Sequence, residues 1–385
     1  MTLITACAVL CLLILLAAAS RYTVKVGVPC GFEDRWQFTV SKGFIIAFSA
    51  VLVATSALRY GFIDTYAYRI MYTSVAEDIS YVHNNTWGIE AGWLYFLRFL
   101  NFFSHNPQLM LLVCAAVITA AFVGVAKRYS ADVCFSLLLY FCLTYMNTNN
   151  GLRQYTAAAI TILAFPLLAR PGFKRILLYV LLVLCAYQFH NSALVCLVIM
   201  VIVSGKPLNI RVLIAIALGA VFLVLPGDVN AYIAELFSQS KYLYYLEYTT
   251  GMGFMRAFIT GILPGTLALS YYIKRRRGLR GIEYSEGVLL NITFINTVFV
   301  LMGLVMQYWA RFAFYTEFAP IVLMPKLIYE FVGKKHYQIA AGVAVICYIF
   351  FFCYNIYVNM GYGAIDSFSA DWTWLKNLWE AVKLW

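Results

Sequence analysis

About twelve apolar stretches dominate the chain and leave it few folds to adopt. They cover roughly residues 3–20, 43–58, 107–126, 131–149, 154–169, 176–189, 191–204, 212–225, 256–273, 287–306, 312–329 and 338–357. A hydrocarbon core about 30 Å thick is crossed by about 20 helical residues, and inside it the backbone must satisfy its own amides. The 385-residue chain is 63% apolar and 12% charged, against about 25% charge in an ordinary soluble chain. A soluble enzyme is excluded. The expected fold is all-α: one polytopic membrane domain over residues 1–385 with about twelve transmembrane helices. The first run lacks a basic start and a small-residue cleavage site before Arg21, so it reads as a span rather than a signal peptide.

Charge sets the expected orientation. With an extracytoplasmic N-terminus, nineteen of the 28 basic residues fall in cytoplasmic connections, among them the cluster Lys274–Arg277. The opposite orientation inverts that ratio, against the retention of positive charge in the cytoplasm. Both termini then face outward. The net charge of +11 is scattered in short clusters between apolar runs, with no basic stripe for a nucleic acid to follow. Nine of the ten cysteines lie in apolar segments and none forms a CxxC pair, so they read as small apolar residues. No HxxxH, HExxH or Cys/His grouping has metal-ligand spacing. A protein-built metal site is not expected.

Three segments depart from a simple zigzag. Residues 90–103 are too short to span and carry Arg98, which predicts an interfacial or re-entrant helix. The sixth and seventh runs are short and meet at Phe189-His190-Asn191-Ser192, as two short helices or a dipping hairpin. The end, 371–385, has the Trp and Lys content of an interfacial amphipathic helix. A polar cavity is therefore expected at the outer face, built from 59–106, 147–155, 187–193, 226–256 and 307–315.

Arginines define that face. Arg59, Arg69, Arg98, Arg153, Arg256 and Arg311 all sit near outer span ends, where positive charge is disfavoured. Guanidinium groups bind phosphate in a fixed bidentate geometry, so the set suits a diphosphate or another polyanion. Individually, each can instead pair with a carboxylate or snorkel to headgroups. His190 can accept a proton from a sugar hydroxyl, hydrogen-bond the bent backbone, or donate to phosphate. Asp64 shares a helical face with Tyr68 and is a second candidate base, or a salt-bridge partner of Arg59 or Arg69. Asn149-Asn150-Gly151-Leu152-Arg153-Gln154-Tyr155 opens a span where free amides and the helix dipole favour an anion. The tyrosine-rich stretch 241–248 suits either sugar stacking or an interfacial belt. Glu317, Asn291 and Asn296 lie within spans and must face a partner or a cavity.

In this order, Arg59…Asp64…Tyr68, Glu90-Ala91-Gly92, Gly151-Leu152-Arg153-Gln154, His190-Asn191-Ser192-Ala193 and Arg311…Tyr315 resemble the EpsG-type branch of the Wzy-like polysaccharide polymerases. The resemblance covers about residues 43–330. It implies a GT-C-related membrane glycosyltransferase of O-antigen, capsule or exopolysaccharide synthesis, acting at the outer face of the bacterial cytoplasmic membrane. Such an enzyme joins oligosaccharide repeat units carried on undecaprenyl diphosphate, alongside a flippase and a chain-length regulator. The chemistry needs phosphate-binding cations and a base, with no cofactor or metal required. On this basis Arg153 and Arg311 are assigned to the leaving diphosphate, with Arg59 and Arg256 as further candidates. His190 is the expected base, with Asp64 or Glu90 in reserve. Tyr68, Arg69, Gln154, Tyr155, Asn191 and Tyr315 complete the expected substrate contacts. A lipid-linked oligosaccharide flippase is the main rival, but the chain has no evident internal repeat and its polar residues favour one face. An O-antigen ligase or a membrane acyltransferase using His190 are the others.

Overall fold

The computed structural model describes residues 20–25, 31–32, 36–77, 80, 88–225, 251–278 and 280–356. The first apolar run (apart from Ser20), the tyrosine-rich stretch 241–248 and the segment 371–385 lie outside these residues. What is described is overwhelmingly helical. Among the described residues three helical stretches are long and apolar enough to cross a membrane, Gln108–Tyr129, Tyr284–Val305 and Lys334–Tyr354, and several shorter apolar helices pack beside them.

Among the described residues the one sheet is a two-stranded antiparallel pair, β1 (Tyr22–Lys25) with β2 (Trp36–Thr39). Four-residue strands lie below what apolar periodicity can distinguish from a polar loop, and the pair was not anticipated. Buried Asp132 anchors this end of the molecule. It caps α5 (Val133–Tyr140) by accepting from the Phe135 amide, pairs with Arg21 at 3.0 Å and accepts from the Tyr337 hydroxyl at 3.1 Å.

From that end, α1 (Lys42–Leu58), capped by Ser41, runs to Arg59. α2 (Thr65–Glu77) and α3 (Ala91–Phe103) follow, and α4 (Gln108–Tyr129) returns along α1. The short helix expected at 90–103 is α3. It buries Trp93, Leu94, Leu97 and Leu100 and exposes Tyr95, Phe99, Phe102 and Phe103, the two-faced pattern of an interfacial helix. Arg98 is occupied locally, donating to the Val75 and Ala76 carbonyls at the end of α2. Gly92 allows α3 to meet the hairpin, since a Cβ there would collide with Gln188 Cβ and lie 2.7 Å from its carbonyl oxygen. Gly92→Ala is expected to cost about 1–3 kcal/mol as an overpacking substitution, read as a lower melting temperature in detergent.

The expected span 131–149 is not one regular helix. α5 leads into a π turn, Phe141–Tyr145, then a short helix, Met146–Asn150. Tyr145 explains the irregularity: its hydroxyl donates to the Leu52 carbonyl and accepts from Ser56, both on α1. After Gly151 comes α6 (Leu152–Leu168), with α7 (Phe173–Tyr187) packed against it. The sixth and seventh runs do break at His190, which caps a 3₁₀ turn, Asn191–Leu194, leading into α8 (Val195–Val203).

α9 (Ile210–Val224) follows a tight turn in which Gly205 has φ +111°. The fully buried Asn291 of α11 (Tyr284–Val305) holds that turn, donating to the Val203 and Lys206 carbonyls and accepting from the Leu208 amide. Between α9 and α11, the short helix Phe254–Ala257 passes through a second π turn, Phe258–Ile262, into α10 (Leu263–Arg277). Asn296 and Thr297 of α11 accommodate it by donating to the Thr260 and Gly261 carbonyls. Both in-span asparagines thus answer backbone that helix geometry leaves unpaired. The short helix Gln307–Ala310, the 3₁₀ turn Arg311–Tyr315, α12 (Phe318–Val332) and α13 (Tyr337–Tyr354) complete the bundle. Between the distal ends of α10, α11 and α12, Lys326 pairs with Glu286 at 3.0 Å and Arg275 with Glu330 at 3.4 Å. Arg275, within the expected basic topology cluster, therefore also serves packing.

Candidate functional site

At the end of the bundle away from the hairpin strands, a polar cavity of about 270 Å³ is lined by Asp64, Tyr68, Asn147, Asn150, Arg153, Gln154, His190, Arg256, Gln307 and Arg311, with Met252, Ala310 and Phe314. These residues come from five separate connections, each of them among those expected from sequence to build the cavity. Residues 226–250 of the expected loop 226–256 lie outside the described residues. Asn147 and Gln307 were not singled out, although each is a polar side chain at a span end.

The arginines separate into groups with different tasks. Arg59 lies behind the cavity wall, 1% exposed, donating to Thr65, to the Ser56 carbonyl and to Asn149. It fixes the start of α2 to the short helix Met146–Asn150 that precedes α6. Arg69 donates to Gln108 at 2.8 Å and stacks on Tyr60 with its guanidinium 4.4 Å from the ring centroid. Neither lines the cavity. Arg153 does, and it is ion-paired with Glu90. Arg256 and Arg311 line the cavity as well, so the three arginines that face its contents are Arg153, Arg256 and Arg311.

The three candidate bases also differ. Glu90 is engaged on both oxygens, one by Arg153 and the other by the Asn191 backbone amide at 2.8 Å. It holds the His190 hairpin against α6. His190 accepts through Nδ1 from the Ser192 amide at 3.3 Å, with the Ser192 hydroxyl 2.7 Å from the same atom. That hydroxyl also meets Tyr315 at 2.8 Å and accepts from Gln154 at 3.2 Å. One assignment satisfies every group: Gln154 and Tyr315 donate to Ser192, and Ser192 donates to His190. Nδ1 is then an acceptor, the neutral ring carries its proton on Nε2, and His190 faces the cavity as a hydrogen-bond donor. Gln154 also donates to the Arg311 carbonyl at 3.1 Å, tying α6 to the Arg311 turn. Asn191 and Tyr315 thus support the site rather than line it. So does Tyr155, fully buried and stacked on Phe314 at 4.5 Å.

Asp64 is the remaining carboxylate. It follows Ile63, a β-branched residue held at φ +44°, a conformation that costs on the order of 1–3 kcal/mol. Its own amide donates to Asn150 at 3.3 Å, which anchors the turn to the cavity rim. Partial burial raises the Asp64 carboxyl above the usual carboxylate range, and the charge of Arg311 opposes that rise. Tyr68, one turn further on, lines the same wall, its phenol pushed up to about 12 by burial and drawn back by Arg153.

An arginine-lined polar cavity at one end of an all-α bundle is the arrangement of a membrane-type protein. A family model described as the EpsG family matches residues 42–366. The chain belongs to that family, a Wzy-like polysaccharide polymerase family. No curated protein and no solved structure matches it.

Proposed function

We propose that this protein is a polysaccharide polymerase that joins oligosaccharide repeat units carried on undecaprenyl diphosphate. The observation that carries the reading is the convergence of Arg153, Arg256 and Arg311 with the carboxylate of Asp64 in one cavity. The acceptor sugar hydroxyl attacks the anomeric carbon of the donor glycan, and the bond from that carbon to the phosphate oxygen breaks. Undecaprenyl diphosphate leaves with the electron pair, and the acceptor proton passes to Asp64. Arg256 and Arg311 meet the charge that grows on the leaving diphosphate. Arg153, already balanced by Glu90, orients more than it neutralises. His190 donates from Nε2 to a phosphate or sugar oxygen. The base is thereby reassigned from His190 to Asp64.

Because arginines supply the positive charge, the reaction is proposed to need neither metal nor cofactor. The proposed setting is the bacterial cytoplasmic membrane, with about twelve spans, a GT-C-related arrangement and the cavity facing outward. A flippase would deliver the lipid-linked units and a chain-length regulator would act on the product.

The test is reconstitution of the purified protein with a synthetic undecaprenyl-diphosphate-linked repeat unit in the presence of EDTA, with products resolved by size. A ladder of lengthened glycans and free undecaprenyl diphosphate is expected. Transbilayer movement of an intact cognate unit without lengthening would instead assign a flippase.

A further inference from the structure

The tract Asn147-Thr148-Asn149-Asn150 makes up most of the short helix before α6, and its polar side chains divide between two faces. Thr148 and Asn149 are buried, both donating to the Tyr145 carbonyl, and Asn149 also accepts from Arg59. Asn147 and Asn150 are half-buried and line the cavity. Residues three apart share one face of a helix, with Cβ atoms about 5–6 Å apart. The two amides therefore stand side by side, next to Asp64, whose backbone amide meets Asn150.

Backbone partners settle which way each amide points. The Asp64 N–H can only donate, so the Asn150 atom it meets at 3.3 Å is Oδ1, and Nδ2 is left to the cavity. The Leu143 carbonyl can only accept, so the Asn147 atom that meets it at 3.3 Å is Nδ2, and Oδ1 is left to the cavity. Neither remaining atom has a partner among the described residues. The pair thus offers one donor and one acceptor, one helical turn apart. An ionised phosphate carries only acceptors and would leave Asn147 Oδ1 facing another oxygen with no hydrogen bond made. A hydroxyl both donates and accepts, so two neighbouring hydroxyls on one sugar ring answer the pair.

We propose that Asn147 and Asn150 form the subsite for the acceptor sugar, separate from the arginines that take phosphate. The inference rests on the reading of the cavity as a polymerase site and names the groups that recognise the incoming glycan. Asn150 Nδ2 donates to the attacking hydroxyl, which turns its own proton toward Asp64 and keeps a lone pair for the anomeric carbon. Asn147 Oδ1 accepts from the hydroxyl on the adjacent ring carbon. The subsite thereby selects an acceptor sugar with a vicinal diol. Because Asn150 also accepts from the Asp64 amide, one side chain sets both the base and the acceptor.

The experiment measures initial rates of glycan lengthening by the reconstituted protein, with inorganic pyrophosphate as a competing probe of the arginines. Wild type and Asn147→Leu are each offered the synthetic lipid-linked unit and analogues whose acceptor sugar lacks one hydroxyl beside the attacking one. Wild type is expected to use one such deoxy analogue about tenfold less well by kcat/KM, the scale of one lost hydrogen bond. Asn147→Leu is expected to use the intact unit and that analogue within about twofold of each other, with pyrophosphate inhibition as in wild type. Full discrimination surviving in Asn147→Leu would overturn the proposal. So would weakened inhibition by pyrophosphate in that variant, which would place Asn147 at the phosphate. If Asn147→Leu does not fold, wild type carries the test alone, equal use of every deoxy analogue then overturning the proposal. Failure of wild type to lengthen the intact unit would overturn the polymerase reading and this inference together. Lengthening without discrimination would overturn this inference alone.

Discussion

Asp64→Asn is expected to lower polymerisation by about 10²–10⁴-fold, the range that a positioned general base contributes. Asn keeps the shape and can still fill the turn after Ile63, so the loss is expected without a fall in melting temperature. Pyrophosphate binding is expected to persist or tighten slightly, because a negative charge has left the cavity. The assignment follows from elimination by geometry. Glu90 is held by Arg153 and the Asn191 amide, and a carboxylate fixed on both oxygens is poorly placed to collect a proton. His190 presents Nδ1 to Ser192, so abstraction through Nε2 would require breaking the cap of the hairpin. Asp64 lines the cavity, and burial raises its carboxyl above the usual range, toward the basicity that proton transfer near neutral pH favours. His190→Ala serves as the counter-experiment. It is expected to weaken substrate contacts yet leave the acid limb of the pH–rate profile in place. If that limb disappeared with His190 and survived in Asp64→Asn, the two roles would have to be exchanged.

Much of the fold was legible because the bilayer imposes a strong pattern. Apolar runs located most of the helices, the weakness of the run around His190 located the break, and residues 90–103 were too short for anything but a peripheral helix. The π turns were not legible, because they arise from side chains meeting across helices. Tyr145 reaches Leu52 and Ser56 of α1, and Asn296 and Thr297 reach the carbonyls of residues 260 and 261. Pairing across such sequence separations leaves no local trace. The same reason explains the arginines. Arg59, Arg69 and Arg311 look alike as basic residues at span ends, and only the fold reveals that Asn149, 90 residues away, occupies Arg59 and that Gln108, 39 residues away, occupies Arg69. Residue type pointed to the arginines of one face, and tertiary partners decided which of them line the cavity.

Arg311→Lys and Arg311→Gln together test the site's electrostatics. Lys keeps the charge but loses the planar fork that grips two phosphate oxygens, so turnover is expected to fall by about 10²-fold or more, the scale of removing one transition-state donor. Gln loses the charge as well, and its second effect reaches Asp64. The Arg311 cation favours the Asp64 carboxylate and therefore lowers the pH at which it ionises. Activity that depends on the ionised base rises as pH climbs through that value. With Arg311 gone, Asp64 holds its proton to higher pH, so the acid limb of the Gln variant is expected to move in the alkaline direction. In the Lys variant, the retained charge keeps that limb near the wild-type position. A Gln variant of normal melting temperature and unmoved acid limb would separate Arg311 from the base, and Asp64 would lose its claim to the proton. Two arginines that merely attracted polyanions would slow the reaction without shifting the limb; displacement in one variant and not the other requires a cation and a base that share one cavity.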